Sequence, residues 1–215
     1  MNNILKIIIK NAVVVFIAAG LVYSFTTIFD QDKLDNIEPQ LMLAPNFTLP
    51  ASDGNLYSLE DFKGKIIVLE WKNHQCPFVK KHYVSKHMQT LQQQYTNQGI
   101  IWFSIISSAK GKQGYVTKEE CNNVIKTEQS HATAVLIDEE GVVGKKYKAK
   151  TTPHMFVINA LGYIVYQGAI DDKPSTNSAD ISDSKNYISA AINELLNNKP
   201  VAIASTAPYG CSIKY

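Results

Sequence analysis

Two apolar runs restrict the fold of this 215-residue chain more than any other feature. They are Lys65–Trp71 and Ile100–Ile106, each bounded by polar or turn residues. Ile66, Ile67, Val68 and Leu69 form an unbroken block, the pattern of a strand buried on both faces. Between the runs, Pro77 to about Tyr95 reads as a helix, with Phe78, Tyr83, Met88 and Leu91 as inward positions. Upstream, Phe47–Leu49 and Leu56–Leu59 flank Ser52-Asp53-Gly54-Asn55, a hairpin signal. Downstream, Thr117 opens a helix with capping-box spacing to Glu120, running to about Ser130. Ala134–Ile137, Met155–Ile158 and Tyr163–Gln167 supply three more strands, the last two joined by a turn at Ala160-Leu161-Gly162. Asn186–Leu196 is a final amphipathic helix, and Asn197–Tyr215 carries no period. Strand, helix, strand, helix, hairpin and helix describe an α/β sandwich with a central mixed sheet flanked by helices.

The amino-terminal segment is built differently. Lys6 and Lys10 stand in a short basic head, Ala12–Ile28 runs without a charge, and Asp30, Asp32, Lys33 and Asp35 follow. Basic before and acidic after predicts an amino terminus left in the cytoplasm and a body exported across the membrane. No clear small-x-small cleavage site follows, so the segment reads as an uncleaved hydrophobic anchor, with a cleaved signal peptide as the alternative. The expected organisation is an anchor or signal over 1–29, a polar linker over 30–43, one α/β domain over 44–198 and a tail over 199–215. The net charge of +2 is carried by Lys6 and Lys10, which excludes a strongly basic nucleic-acid binder. Three cysteines, Cys76, Cys121 and Cys211, are too few for a disulfide scaffold or a four-cysteine zinc site.

Cys76 is the candidate nucleophile. It follows a buried strand by a short loop and precedes Pro77, a residue favoured in the first helical turn, so Cys76 falls at the N-cap. Unpaired backbone N–H groups and the positive end of the helix dipole favour thiolate there. Lys72, His74, Lys80, Lys81 and His82 are expected to add positive charge. The competing reading is a small buried hydrophobe, the usual fate of a free cysteine; the polar Asn73, His74 and Gln75 argue against it. His82 and His87 are expected on the exposed face of their helix, and Cys121 lies outside any motif.

Several stretches carry a family resemblance. Ala44-Pro45-Asn46-Phe47-Thr48-Leu49, Gly54, Ser58-Leu59, Gly64-Lys65 and Val68-Leu69-Glu70-Trp71 resemble the opening of the redoxin group. That group of the thioredoxin superfamily holds the peroxiredoxins and the membrane-tethered thiol–disulfide oxidoreductases, and the order of elements is the thioredoxin arrangement. Thr151-Thr152-Pro153 resembles the superfamily's cis-proline loop, which lies against the active cysteine; His154 follows it. The stretch Glu70–Tyr83 and the tail Pro208–Tyr215 are similar to a subgroup of bacterial redoxin-domain proteins. The resemblance implies a thioredoxin-like sandwich and a periplasmic antioxidant or thiol–disulfide enzyme. Cys76 would be its catalytic residue, with Asn73, His74, Pro77, Thr152, Pro153 and His154 in support and no cofactor.

The chain departs from that pattern at three places. The second cysteine of a Cys-x-x-Cys pair is replaced by Val79, so no motif disulfide can form. The threonine that peroxiredoxins place three residues before their cysteine is Asn73. Arginine is absent altogether, and lysine lacks its planar fork of donors, which argues against an ordinary peroxiredoxin. Recycling an oxidised Cys76 within the chain needs a second thiol. Cys211 is the candidate, the alternatives being an idle thiol or an intermolecular bridge. The expected partners are a disulfide or peroxide substrate, an external dithiol reductant and the membrane. Another reading is a non-catalytic module that binds a partner protein, or copper through Cys76, His74 and His154, as copper chaperones of this fold bind it through cysteines and a histidine.

Overall fold

A computed structural model of the chain describes residues 42–215. The expected anchor and most of the expected linker lie outside the described residues. Among the described residues no helix is long and apolar enough to cross a membrane.

Among the described residues, ten strands and five α-helices follow in chain order. The strands are β1 (Met42–Leu43), β2 (Thr48–Pro50), β3 (Leu56–Ser58), β4 (Ile67–Trp71), β5 (Ile101–Ile106), β6 (Ala134–Ile137), β7 (Thr151–Thr152), β8 (His154–Ile158), β9 (Tyr163–Gly168) and β10 (Cys211–Ser212). The helices are α1 (Pro77–Val84), α2 (His87–Thr96), α3 (Lys118–Glu128), α4 (Val142–Lys146) and α5 (Tyr187–Leu196). The central sheet runs β1-β9-β8-β4-β5-β6. β4, β5 and β6 are parallel, while β8, β9 and β1 add antiparallel neighbours, so the sheet is mixed as expected. β4 is buried at all five positions, as its continuous apolar run demands. β2 and β3 form the hairpin, with Leu49 opposite Tyr57.

Alternation along the strands sorts the core onto two faces. Leu69, Trp71, Phe103, Ile105, Phe156 and Ile158 point to one face, where Phe47, Leu49, Val143 and Tyr147 cover them. Val68, Trp102, Met155 and Val157 point to the other, against Val79 and Tyr83 of α1, Met88, Leu91 and Tyr95 of α2 and Ile188 and Ile192 of α5. Cys76 belongs to this second face. Cys121 is fully buried under α3 with Ile106, Val116 and Val135.

The structure corrects three expectations. The helix expected over Pro77–Tyr95 is two helices, because Lys86 adopts left-handed backbone with φ 63°. Ser85 caps the break: its hydroxyl donates to the carbonyls of Lys81 at 2.8 Å and His82 at 3.1 Å. His82, expected on an exposed face, is fully buried, and His87 is half-buried with its Nδ1 3.0 Å from His82 Nδ1. The tail also has a defined path despite its lack of period. Gln167 N–H donates to Ala204 O at 3.0 Å, and Thr206 N–H to Gln167 O at 3.1 Å. Cys211 and Ser212 then pair antiparallel with Thr152 and Thr151. Beyond them Ala109 N–H donates to Lys214 O at 2.8 Å, and Tyr215 OH to Ala149 O at 3.0 Å.

Candidate active site

β4 delivers the chain to the site and α1 begins there. Cys76 is the N-cap of α1, with extended backbone (φ −71°, ψ 126°), and Pro77 is the first helical residue. Between strand and cap, Asn73 shapes the loop: its Oδ1 accepts Gln75 N–H at 2.9 Å and its Nδ2 donates to Gln113 O at 3.2 Å. Asn73 O also accepts Cys76 N–H at 3.0 Å, so the turn that presents the cysteine is closed by backbone and side chain together. From the other side comes the loop between β7 and β8. Its Thr152–Pro153 peptide bond is cis, as the resemblance implies. Cys76 Sγ lies 3.0 Å from Thr152 O, which accepts a hydrogen bond from the thiol when Cys76 is neutral.

The tail supplies the third wall. Cys211 stands opposite Thr152 on the antiparallel pair, and its Sγ is 2.7 Å from Cys76 Sγ. Gly210 makes this approach possible. Its φ of 137° is in the region that favours glycine, and a Cβ there would sit 2.2 Å from Thr152 O. With the tail in place Cys76 has no exposed surface, whereas Cys211 is partly exposed.

The two thiols differ electrostatically. Burial alone pushes the Cys76 thiol up. The Cys211 thiol, Thr152 and the backbone N–H groups of Val79 and Cys211 outweigh it, and the net shift is downward. Burial pushes Cys211 up to about 11, helped by its hydrogen bond to Cys76 and by the Cys76 charge. The two shifts run in opposite directions, so of the pair Cys76 is the more easily deprotonated. Lysines play a smaller part here than the sequence suggests. Lys72 is buried and paired with Glu128, and Lys81 is buried and paired with Asp171.

Two supporting candidates do not converge on the sulfur. His154 is buried with its ring 4.6 Å from Phe156, a residue of the opposite face of the sheet from Cys76. Its Nδ1 accepts Lys150 N–H at 3.2 Å, and burial lowers its pKa to about 4. His74 turns to a groove of about 620 Å³, shared with Lys80, Tyr83, Val84, Lys86 and Glu128. Among the described residues no group of three His, Cys, Asp or Glu side chains is arranged to hold a metal ion. The Cys76, His74 and His154 set is therefore not assembled.

Sequence reasoning missed a polar cluster beneath α1 and α2. Glu70, fully buried, accepts from Tyr83 OH at 2.8 Å, Trp102 Nε1 at 2.9 Å, Ser104 Oγ at 2.9 Å and Gln92 Nε2 at 3.2 Å. Burial pushes its carboxyl up, opposed by Lys72 and these donors. A charged residue inside the apolar run that ends at Trp71 was the available signal.

A mixed sheet with helices on both sides, a cysteine at the start of the first helix and a cis-proline facing it define a thioredoxin-like protein. Within that class the Redoxin family profile matches residues 40–188, and the chain belongs to that family. The tail with Cys211 lies beyond the matched stretch. An uncharacterized conserved protein from Geobacillus kaustophilus is similar at 29% identity with a TM-score of 0.70, over 84% of this chain and 94% of its own. A hypothetical protein from Sinorhizobium meliloti 1021 is similar at 26% identity and a TM-score of 0.65, over 81% and 93%. The solution structure of a putative protein disulfide isomerase from Bacteroides thetaiotaomicron shares the fold, with a TM-score of 0.55 at 17% identity over 75% and 92%. No curated protein matches the chain.

Proposed function

We propose that the protein is a thiol-based oxidoreductase in which Cys76 is the nucleophile and Cys211 the resolving thiol. The observation that carries this reading is the 2.7 Å separation of the two sulfurs. With a peroxide, the Cys76 thiolate attacks one oxygen, the O–O bond breaks, and Cys76 becomes a sulfenic acid while an alkoxide or hydroxide leaves. Cys211 then attacks the Cys76 sulfur, the S–OH bond breaks, water leaves and a Cys76–Cys211 disulfide remains. With a disulfide substrate, the first attack gives a mixed disulfide at Cys76, and Cys211 displaces the substrate thiolate. Either way the substrate gains two electrons and the cysteine pair loses two.

The tail must move for chemistry to begin, because Cys76 is fully covered while it is docked. Only two residues pair at β7, so lifting them breaks few backbone bonds. A small peroxide needs less opening than a protein disulfide. In the oxidised form the partly exposed sulfur is Cys211, so an external dithiol attacks there and Cys76, the better leaving group, departs as thiolate. Asn73, Pro77, Thr152 and Pro153 support the site by shaping the two loops that meet at Cys76. The Lys6–Lys10 head, the uncharged Ala12–Ile28 and the acidic residues after it support an exported body tethered to the bacterial inner membrane.

Stoichiometric hydrogen peroxide followed by mass spectrometry under non-reducing conditions tests the proposal. The expected product is a Cys76–Cys211 disulfide. An unreacted Cys76 thiol would favour a binding module without turnover.

A further inference from the structure

The tail must be held in place for Cys211 to reach Cys76, and one buried carboxylate touches both segments. Asp171 follows β9 and is almost fully buried. Its Oδ2 is 3.3 Å from Lys81 Nζ of α1, five residues beyond Cys76. Its Oδ1 accepts the hydroxyl of Tyr209, two residues before Cys211, and Lys173 N–H at 3.0 Å. Lys81 also donates to Lys173 O at 2.8 Å, which fixes its head against the same loop. The Tyr209 ring packs edge-on against Phe78, the second residue of α1, at 5.9 Å between centroids. His82 Nε2 faces Asp171 Oδ2 at 3.8 Å without a hydrogen-bond partner. Burial lowers the His82 pKa to about 3, so the ring is neutral and leaves Lys81 as the charge partner.

The helix that carries one cysteine and the strand that carries the other are thus tied to one group. We propose that Asp171, through the hydroxyl of Tyr209, is the positioning residue that holds Cys211 over Cys76. The proposal rests on Cys211 being the resolving thiol. Neither residue touches the sulfurs; both act through the docked tail. A hydroxyl bonded to a buried carboxylate is a charge-assisted bond, stronger than a neutral one. Its loss leaves the stretch around Cys211 to the two-residue pairing, the Phe78 contact and the flanking bonds at Thr206 and Lys214.

Three readouts test the proposal in the full chain. After stoichiometric peroxide, Tyr209→Phe is expected to close the Cys76–Cys211 disulfide about tenfold more slowly than wild type. Cys76 sulfenic acid, trapped with dimedone, should accumulate in its place. The equilibrium constant for the disulfide against glutathione should fall by about the same factor, because the two thiols lose effective concentration. Asp171→Asn should act in the same direction, and the double variant should be less impaired than the two single effects added together. That non-additivity marks the bond itself and is not expected from two unrelated losses of stability. Wild-type closure rate and glutathione equilibrium in Tyr209→Phe, or strictly additive effects in the cycle, overturn the positioning role alone. Absence of any Cys76–Cys211 disulfide in wild type overturns the resolving role of Cys211 and the positioning role with it.

Discussion

The two walls of the site are built in opposite ways. Cys76 stands on regular structure, at the end of a strand buried on both faces and at the head of a helix that packs into the core. Cys211 stands on a strap crossing the sheet edge by scattered bonds: Thr206 to Gln167, Tyr209 to Asp171, a two-residue pairing at Thr151–Thr152 and Lys214 to Ala109. Elements held by core burial open only with the whole domain, whereas segments held by a few surface bonds open locally at lower free energy. Cys76 rests on core-packed elements and Cys211 on a few surface bonds, the division that the proposed role of Cys76 as a covered nucleophile needs.

The sharpest break of this comparison is at the fixed wall. Cys76→Ser should abolish peroxide consumption and insulin-type disulfide reduction in turnover assays, since Cys211 is raised to about 11 and Cys121 is raised and buried in the core. Cys211→Ser should still form the first adduct, and mass spectrometry should find sulfenic acid or mixed disulfide trapped at Cys76, with multiple turnover lost. Gly210→Ala tests the strap directly. A Cβ would sit 2.2 Å from Thr152 O on a backbone with φ 137°, so the strap should dock less well. Alkylation of Cys76 should quicken by about tenfold while far-ultraviolet circular dichroism stays unchanged.

Titration sharpens the same contrast with smaller effects. Cys76 is lowered and Cys211 raised to about 11. Iodoacetamide at mildly acidic pH, in a reduced sample, should therefore label Cys76 ahead of Cys211, and Cys211→Ser should raise the pH midpoint of that labelling. His82 reports on the frame instead. Its folded pKa of about 3 lies below the unfolded value near 6.5, so the unfolded state takes up its proton first as pH falls. Its contribution is complete above pH ~6.5 and is lost progressively down to about 3. Urea midpoints at pH 7, 5 and 4 should decline in that order, with a shallower decline in His82→Gln.

Legibility followed the range of the forces involved. The Ile66–Leu69 run, the Thr117–Glu120 capping box and the Cys76-Pro77 helix start are local signals, and each is realised: Thr117 Oγ1 accepts Glu120 N–H at 3.2 Å and Thr117 N–H donates to Glu120 Oε2 at 2.8 Å. The break at Lys86 carries no glycine or proline to announce it. It depends on a serine hydroxyl capturing carbonyls and on a left-handed lysine, and amphipathic spacing continues across it. The buried states of Lys72, Lys81 and His82 depend on Glu128 and Asp171, which are distant in sequence. No short window holds both members of such a pair. The strap was least legible, because two paired residues produce no periodicity and their partner strand lies near position 151.

Cys121 gives the molecule its own internal clock. Its thiol is fully enclosed beneath α3, and burial pushes it up, so reagents should reach it only when the domain opens as a whole. Under the mechanism proposed above, Cys76 is reached when the strap alone lifts. A single time course of thiol labelling on the native reduced chain, read by peptide mass, therefore contains two opening equilibria: one for the strap and one for the fold beneath it.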